Sequence, residues 1–143
     1  MKIPNDNERL ILALQAWTEH YSNRNLNGLL DLFCKNHPLL LIGTGTDEKI
    51  HSIEELKKQF ARDWEQSESI DIQLRDIKSY IINDIAWISA DSKITANVSG
   101  KTRIYPSVRN THMLIKENGN WLFTLSHWST PTASQALGNS FPE

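Results

Sequence analysis

The chain has 143 residues, enough for one domain with a self-sufficient core and leaving little room for a second. Hydrophobic residues at 39% and charged residues at 22% exclude a disordered chain, and no apolar run approaches the ~20 residues of a membrane-spanning helix. A formal charge of −2, from 15 basic and 17 acidic residues without a basic stripe, argues against nucleic acid or an anionic membrane as partner. Residues 1–9 are polar and lack the apolar stretch of a signal peptide. Cys34 is the sole cysteine, so no internal disulfide is possible and a cytoplasmic location is expected.

Residues 6–23 read as a first helix, because Leu10, Leu14, Trp17 and Tyr21 recur on one face, with Asp6 or Asn7 as its cap. A second helix is expected over 26–35, with Leu26, Leu29, Leu30 and Phe33 on one side and Pro38 barring its continuation. Cys34 falls in that apolar pattern and reads as a small buried thiol. Leu39–Ile42 reads as a short strand ending in the turn Gly43-Thr44-Gly45. Ser52 and Glu55 form a capping box that opens a third helix, with Ile53, Leu56, Phe60 and Trp64 as its apolar stripe and an end near Ser67.

The period then changes to two. Ile70, Ile72 and Leu74 alternate with polar residues, while Ile77 and Ile81 fall on the other parity, so a bulge is expected near Arg75-Asp76. Asn83-Asp84 is a turn, 85–98 a strand, and 102–116 another, with Pro106 demanding an edge position or a bulge. Glu117-Asn118-Gly119 is a hairpin turn, and 121–130 is the last strand, stopped by Pro131. Residues 1–131 thus read as one α+β domain, its helices packed on one face of an antiparallel sheet, and 132–143 as a loose tail.

Four segments resemble a known family. They are Asn25-Leu26-Asn27-Gly28-Leu29-Leu30-Asp31-Leu32-Phe33, Ser52-Ile53-Glu54-Glu55-Leu56, Asn83-Asp84-Ile85-Ala86-Trp87, and the last hairpin. The hairpin carries Arg109 and Thr111, then Gly119 and Trp121, then His127 and Ser129, similar to an R-x-T, G-x-W, H-x-S signature. Together they resemble the SnoaL-like, calcium/calmodulin-dependent-kinase association-domain-like branch of the nuclear-transport-factor-2-like superfamily. The resemblance implies a cystatin-like cone, in which a curved antiparallel sheet wraps three N-terminal helices around a cavity. It also implies sheet-to-sheet homodimers. Superfamily members range from isomerases, cyclases and dehydratases to pure association domains, so the fold leaves the activity open.

A three-residue loop in the last hairpin would set Arg109 opposite His127, on the apolar face shared by Trp121, Phe123, Thr111 and Met113. Arg109 could then anchor a carboxylate or enolate, and His127 could move a proton near neutral pH. The competing reading makes Arg109, Thr111, His127 and Ser129 a polar network bracing the hairpin. Trp17, Tyr21 and Trp64 are core residues that can also line a cavity, with the Tyr21 hydroxyl available to a ligand oxygen. Trp128, with Ser126 and Thr124 on its side, reads as an outer-face residue suited to a subunit interface, while the face of Trp87 stays open.

No strand acid pairs with a base, and no metal-binding or nucleotide-binding motif stands out. His20, His37 and His51 are scattered and read as solvated, and His112 lies on the parity opposite His127. The expectation is a cofactor-free, metal-free binder of a small apolar or carboxylate-bearing molecule, extending to lyase, isomerase or cyclase chemistry. The catalytic candidates are His127, Arg109 and Tyr21. The rival is a non-catalytic homo-oligomerisation domain using its convex sheet face.

Overall fold

The computed structural model describes residues 2–143. Met1, the first residue of the expected domain span, lies outside them. Helix α1 covers Asp6–Ser22, α2 Leu26–Asp31 and α3 Ile53–Glu65. The strands are β1 Leu40–Ile42, β2 Lys49–Ile50, β3 Ser69–Ile82, β4 Ile85–Val98, β5 Lys101–Glu117 and β6 Asn120–Ser129. They form one six-stranded sheet in the order β2-β1-β6-β5-β4-β3. Two features correct the expected arrangement. β1 runs parallel to β6, so the sheet is mixed, and α3 follows the β1–β2 hairpin, so only two helices precede the first strand.

Helix α1 starts at Asp6 as expected, but its cap is one residue earlier than Asp6 or Asn7. Asn5 is its cap, and Asn5 and Glu8 form a reciprocal box, each amide donating to the other's side chain at 2.9 Å. Asp6 is thereby free to take bonds from Lys116 Nζ (3.1 Å) and Trp121 Nε1 (3.3 Å), which pin the helix to the last hairpin. Helix α2 is shorter than its apolar spacing suggests. Phe33 leaves it to bridge Phe123, the Cys34 amide donates to the Phe123 carbonyl, and the Phe123 amide donates to the Leu32 carbonyl, both at 2.8 Å. A sheet edge supplies the hydrogen bonds that a further helical turn would otherwise make. Ser52 caps α3 as expected, accepting from the Glu55 amide at 3.1 Å, whereas the Glu55 carboxylate accepts from His51 instead of the cap residue.

The core lies between the helices and one face of the sheet. Leu10, Leu14 and Trp17 of α1, Leu29 and Leu30 of α2, and Leu56 and Phe60 of α3 meet Ala86, Ile88, Leu114, Trp121 and Phe123 from the strands. Three bulges shape the sheet. One falls between Arg75 and Lys78, where Asp76 has φ +53°. A second sets Ser92 opposite Val108 but Ile94 opposite Tyr105, leaving Pro106 in the extra residue pair of β5. The third leaves Thr124 unpaired, since Leu114 faces Phe123 and Met113 faces Leu125. Each exchanges the two faces of its strand from that point on.

Among the described residues, no helix is long and apolar enough to cross a membrane.

Candidate functional site

The open end of the helix–sheet sandwich holds a cavity of about 320 Å³. Its sheet wall comprises Ile70 and Ile72 of β3, Ile94 and Ala96 of β4, and Val108 of β5. Trp17 of α1, Phe60 of α3 and Trp128 of β6 close the deep end. The Trp17 and Trp128 rings lie 5.0 Å apart, and their indole N–H groups are buried without an acceptor among the described residues.

The polar side of the cavity is built by α3. Asp63, in the last turn of the helix, accepts from the Tyr21 hydroxyl at 2.8 Å and from Gln59 Nε2 at 2.7 Å. Burial raises the Asp63 carboxyl above its ordinary range, against the pull of those two hydrogen bonds. Burial, then the adjacent Asp63 charge, raises the Tyr21 hydroxyl in turn, so it stays a proton donor at any physiological pH. Glu48 stands beside them, accepting from Gln59 at 3.3 Å and from Arg62 at 3.0 Å. The Gly45 amide donates to Glu48 Oε2 at 2.8 Å, and a Cβ at Gly43 would collide with that oxygen. The turn between β1 and β2 is therefore fitted to one carboxylate. Arg103, on the inner face of β5 opposite Ala96, lines the cavity and has no hydrogen bond or ion pair among the described residues.

The Tyr21–Asp63 pair is held by a brace behind it. Trp64 Nε1 donates to the Tyr21 carbonyl at 3.0 Å, and Arg24 donates to the carbonyls of Trp64 and Ser67 at 2.6 Å each. The guanidinium thus satisfies carbonyls that the C-terminal end of α3 leaves open. Trp64 therefore packs behind the cavity and does not line it, unlike Trp17 and Tyr21, which do.

Arg109, Thr111, His127 and Ser129 lie away from the cavity, on the face of the sheet opposite the helices. The turn is two residues long, Asn118 (φ +51°) and Gly119 (φ +80°), so Glu117 pairs with Asn120 and not Lys116 with Asn120. That one-residue change turns Thr111, Met113 and Arg109 outward, and the bulge at Thr124 turns His127 outward with them. The observed pairs are Thr111 with His127 and Arg109 with Ser129. No side-chain hydrogen bond joins these four among the described residues, so the bracing network is absent too. The same shifts carry Trp128 inward, where it is 8% exposed, correcting its expected place on the outer face.

His112 becomes a core residue. It contacts Ser126 Oγ and Asn110 Oδ1 at 2.9 Å each, and burial pushes its ring down to about 3, so it is neutral at physiological pH. Asp63 stands on a helix and not among the strand acids, so the strand pattern does not single it out. Its signal was available: it falls one residue before Trp64, three after Phe60, on the flank of the α3 apolar stripe.

An α+β sheet roofed by helices, with an apolar cavity and a short polar wall, defines the nuclear-transport-factor-2-like class of domain. Residues 11–133 match the SnoaL-like domain family, and the chain belongs to that family. No curated protein matches it. Among solved structures, a candidate dehydratase of the NTF2-like family from Streptomyces avermitilis superposes with a TM-score of 0.82 at 18% identity, covering 90% of this chain and 97% of that one. A candidate calcium/calmodulin-dependent protein kinase II association domain from Xanthomonas campestris gives 0.78 at 17% identity, covering 91% of each chain. An NTF2-like protein with a cystatin-like fold from Novosphingobium aromaticivorans gives 0.74 at 12% identity, covering 90% of this chain and 84% of that one. At these identities the likeness concerns the fold.

Proposed function

We propose that the chain binds a small, largely apolar carbonyl or carboxylate compound in the helix–sheet cavity and acts on it by cofactor-free proton transfer, as a lyase or isomerase. The observation that carries this reading is Asp63, a carboxyl raised by burial on the wall of an apolar cavity and hydrogen-bonded to Tyr21 at 2.8 Å. A carboxyl so placed can take a proton from an acidic C–H and return it to a leaving hydroxyl or a neighbouring carbon. Tyr21, tied to the same carboxyl, offers an O–H to a ligand oxygen as charge develops there. Arg103, a cavity-lining cation without a partner among the described residues, would hold an anionic ligand group, the role the sequence suggested for Arg109. The dehydratase description of the Streptomyces relative agrees with this chemistry.

The test is a thermal-shift and calorimetric screen of aromatic and alicyclic carboxylates and ketones. Arg103→Ala should weaken carboxylate binding at least about tenfold, the loss of a charge-assisted pair. Asp63→Asn should retain binding and lose turnover. A hit that binds equally well to Arg103→Ala, and is unaffected by filling the cavity with Ala96→Phe, would sink the reading.

A second reading concerns the outer face and coexists with the first. Tyr80, Ile82, Ile85, Trp87 and Met113 stand exposed there on three neighbouring strands, and the Tyr80 and Trp87 rings stack at 6.4 Å. Arg109, Thr111 and His127 lie beyond this apolar row on β5 and β6. An apolar centre with a polar margin is the composition of a protein interface. The occupant we assign is a second copy of this chain, as the association-domain description of the Xanthomonas relative suggests. Trp87→Arg should convert a dimer to a monomer in analytical ultracentrifugation while leaving the circular dichroism unchanged. A wild-type monomer at tens of micromolar would refute it.

A further inference from the structure

Away from the cavity, at the turn end of the β5–β6 hairpin, three unlike side chains converge. The Cys34 thiol lies 3.6 Å from Glu117 Oε1, and His37 Nε2 lies 2.9 Å from the same oxygen. The ligand atoms of all three fall within 4.8 Å of one another. The chain path explains the meeting. Cys34 is fixed to β6 through the Phe123 carbonyl, Pro38 ends the segment that carries His37, and Glu117 is the last residue of β5 before the turn.

We propose that Cys34, His37 and Glu117 bind one Zn²⁺ ion, clamping the segment between α2 and β1 to the β5–β6 turn. In a tetrahedral zinc site with typical bond lengths, sulfur and oxygen ligands stand about 3.6 Å apart and nitrogen and oxygen ligands about 3.3 Å. The sulfur–oxygen separation already has that value. The nitrogen–oxygen separation needs only to widen by a few tenths of an ångström, which His37, half exposed, can accommodate. A mixed thiolate, imidazole and carboxylate set suits a borderline-soft divalent ion such as zinc better than magnesium or calcium.

The charges also close. Metal binding would displace the thiol proton to solvent, so that Zn²⁺, thiolate and carboxylate sum to zero around a neutral imidazole. The nearby cations do not compete. Lys35 Nζ is turned to the Leu30 and Phe33 carbonyls at 3.0 and 3.2 Å, and Lys116 is bound to Asp6. Hydrolytic thiol chemistry fits less well. The thiol donates to the carboxylate and not to the imidazole, and Cys34 is fully buried, so a substrate could not reach it. Three protein ligands leave a fourth position for water on the His37 side.

The experiment is titration of the tag-free chain with Zn²⁺ alone by calorimetry, and with Co²⁺ by absorption spectroscopy. Zn²⁺ should bind one to one, and Co²⁺ should give a thiolate-to-cobalt charge-transfer band. Only Cys34 can produce that band, being the sole cysteine. Cys34→Ser should abolish it, and His37→Ala, at an exposed position that leaves the core intact, should weaken Zn²⁺ binding at least about tenfold. Co²⁺ binding without the band, or undiminished Zn²⁺ affinity in His37→Ala, would overturn the proposal even if Cys34→Ser failed to fold.

Discussion

The neutral, buried imidazole of His112 makes acid stability a sharp test of the packing. In the unfolded chain this ring titrates near 6.5, while in the fold burial lowers it to about 3. Between those values the unfolded state holds a proton that the native state refuses, so stability falls as the pH drops. At about pH 5, one and a half units below the ordinary value, the loss relative to neutral pH is roughly 2 kcal/mol at 1.36 kcal/mol per unit. Asp63 works in the opposite sense. Its raised carboxyl favours the fold at low pH, and that contribution fades as the pH rises through its native value. The His112 effect is therefore isolated by difference, using His112→Gln, which keeps an amide near Ser126 and does not titrate. Urea unfolding should be followed by tryptophan fluorescence, which reports locally because Trp128 and Trp17 lie 5.5 and 6.5 Å from the ring. The stability gap between wild type and variant should narrow by roughly 2 kcal/mol from neutral pH to about pH 5. A constant gap, or an imidazole that titrates near 6.5 by NMR, would show that the ring is hydrated or the β6 register different.

Other outcomes follow from the same geometry. Tyr21→Phe removes a hydrogen bond that holds the Asp63 carboxyl down, so that carboxyl should move further up in a ¹³C NMR titration; a downward move would contradict the pairing. Phe60→Ala empties a site that is 1% exposed between Trp17, Phe33 and Trp64, and should cost about 3–5 kcal/mol in chemical denaturation. Gly119→Ala places a Cβ at φ +80° in open space, so strain alone is felt: a loss of about 1 kcal/mol without altered core spectra.

The helices and long strands were legible because their apolar periods are unambiguous, as with Leu10, Leu14 and Trp17 or Ile70, Ile72 and Leu74. The bulge at Asp76 was readable from a change of parity. β2 was not, because two residues carry no period. The site was harder, since it depends on which face each strand shows. Pro106 announced a bulge, and that bulge is why Arg103, of the same parity as Arg109, faces inward while Arg109 faces out. The turn at Asn118-Gly119 admits two lengths from sequence alone, and the shorter one rotates the signature residues Arg109, Thr111 and His127 away from the helices. Thr124 gave no sign of its bulge, because threonine suits a regular strand equally well.

The first half of β5 has a consequence for solubility. Residues 101–108 pair with β4 alone, since β6 joins only from Arg109 onward. An unaccompanied strand of this length invites a foreign chain to zip alongside it. Here Pro106 lacks the amide such a guest would need and kinks the backbone, and Lys101 and Arg103 add charge to the rim. The mouth of the cavity can thus stay unroofed without becoming a template for fibril growth.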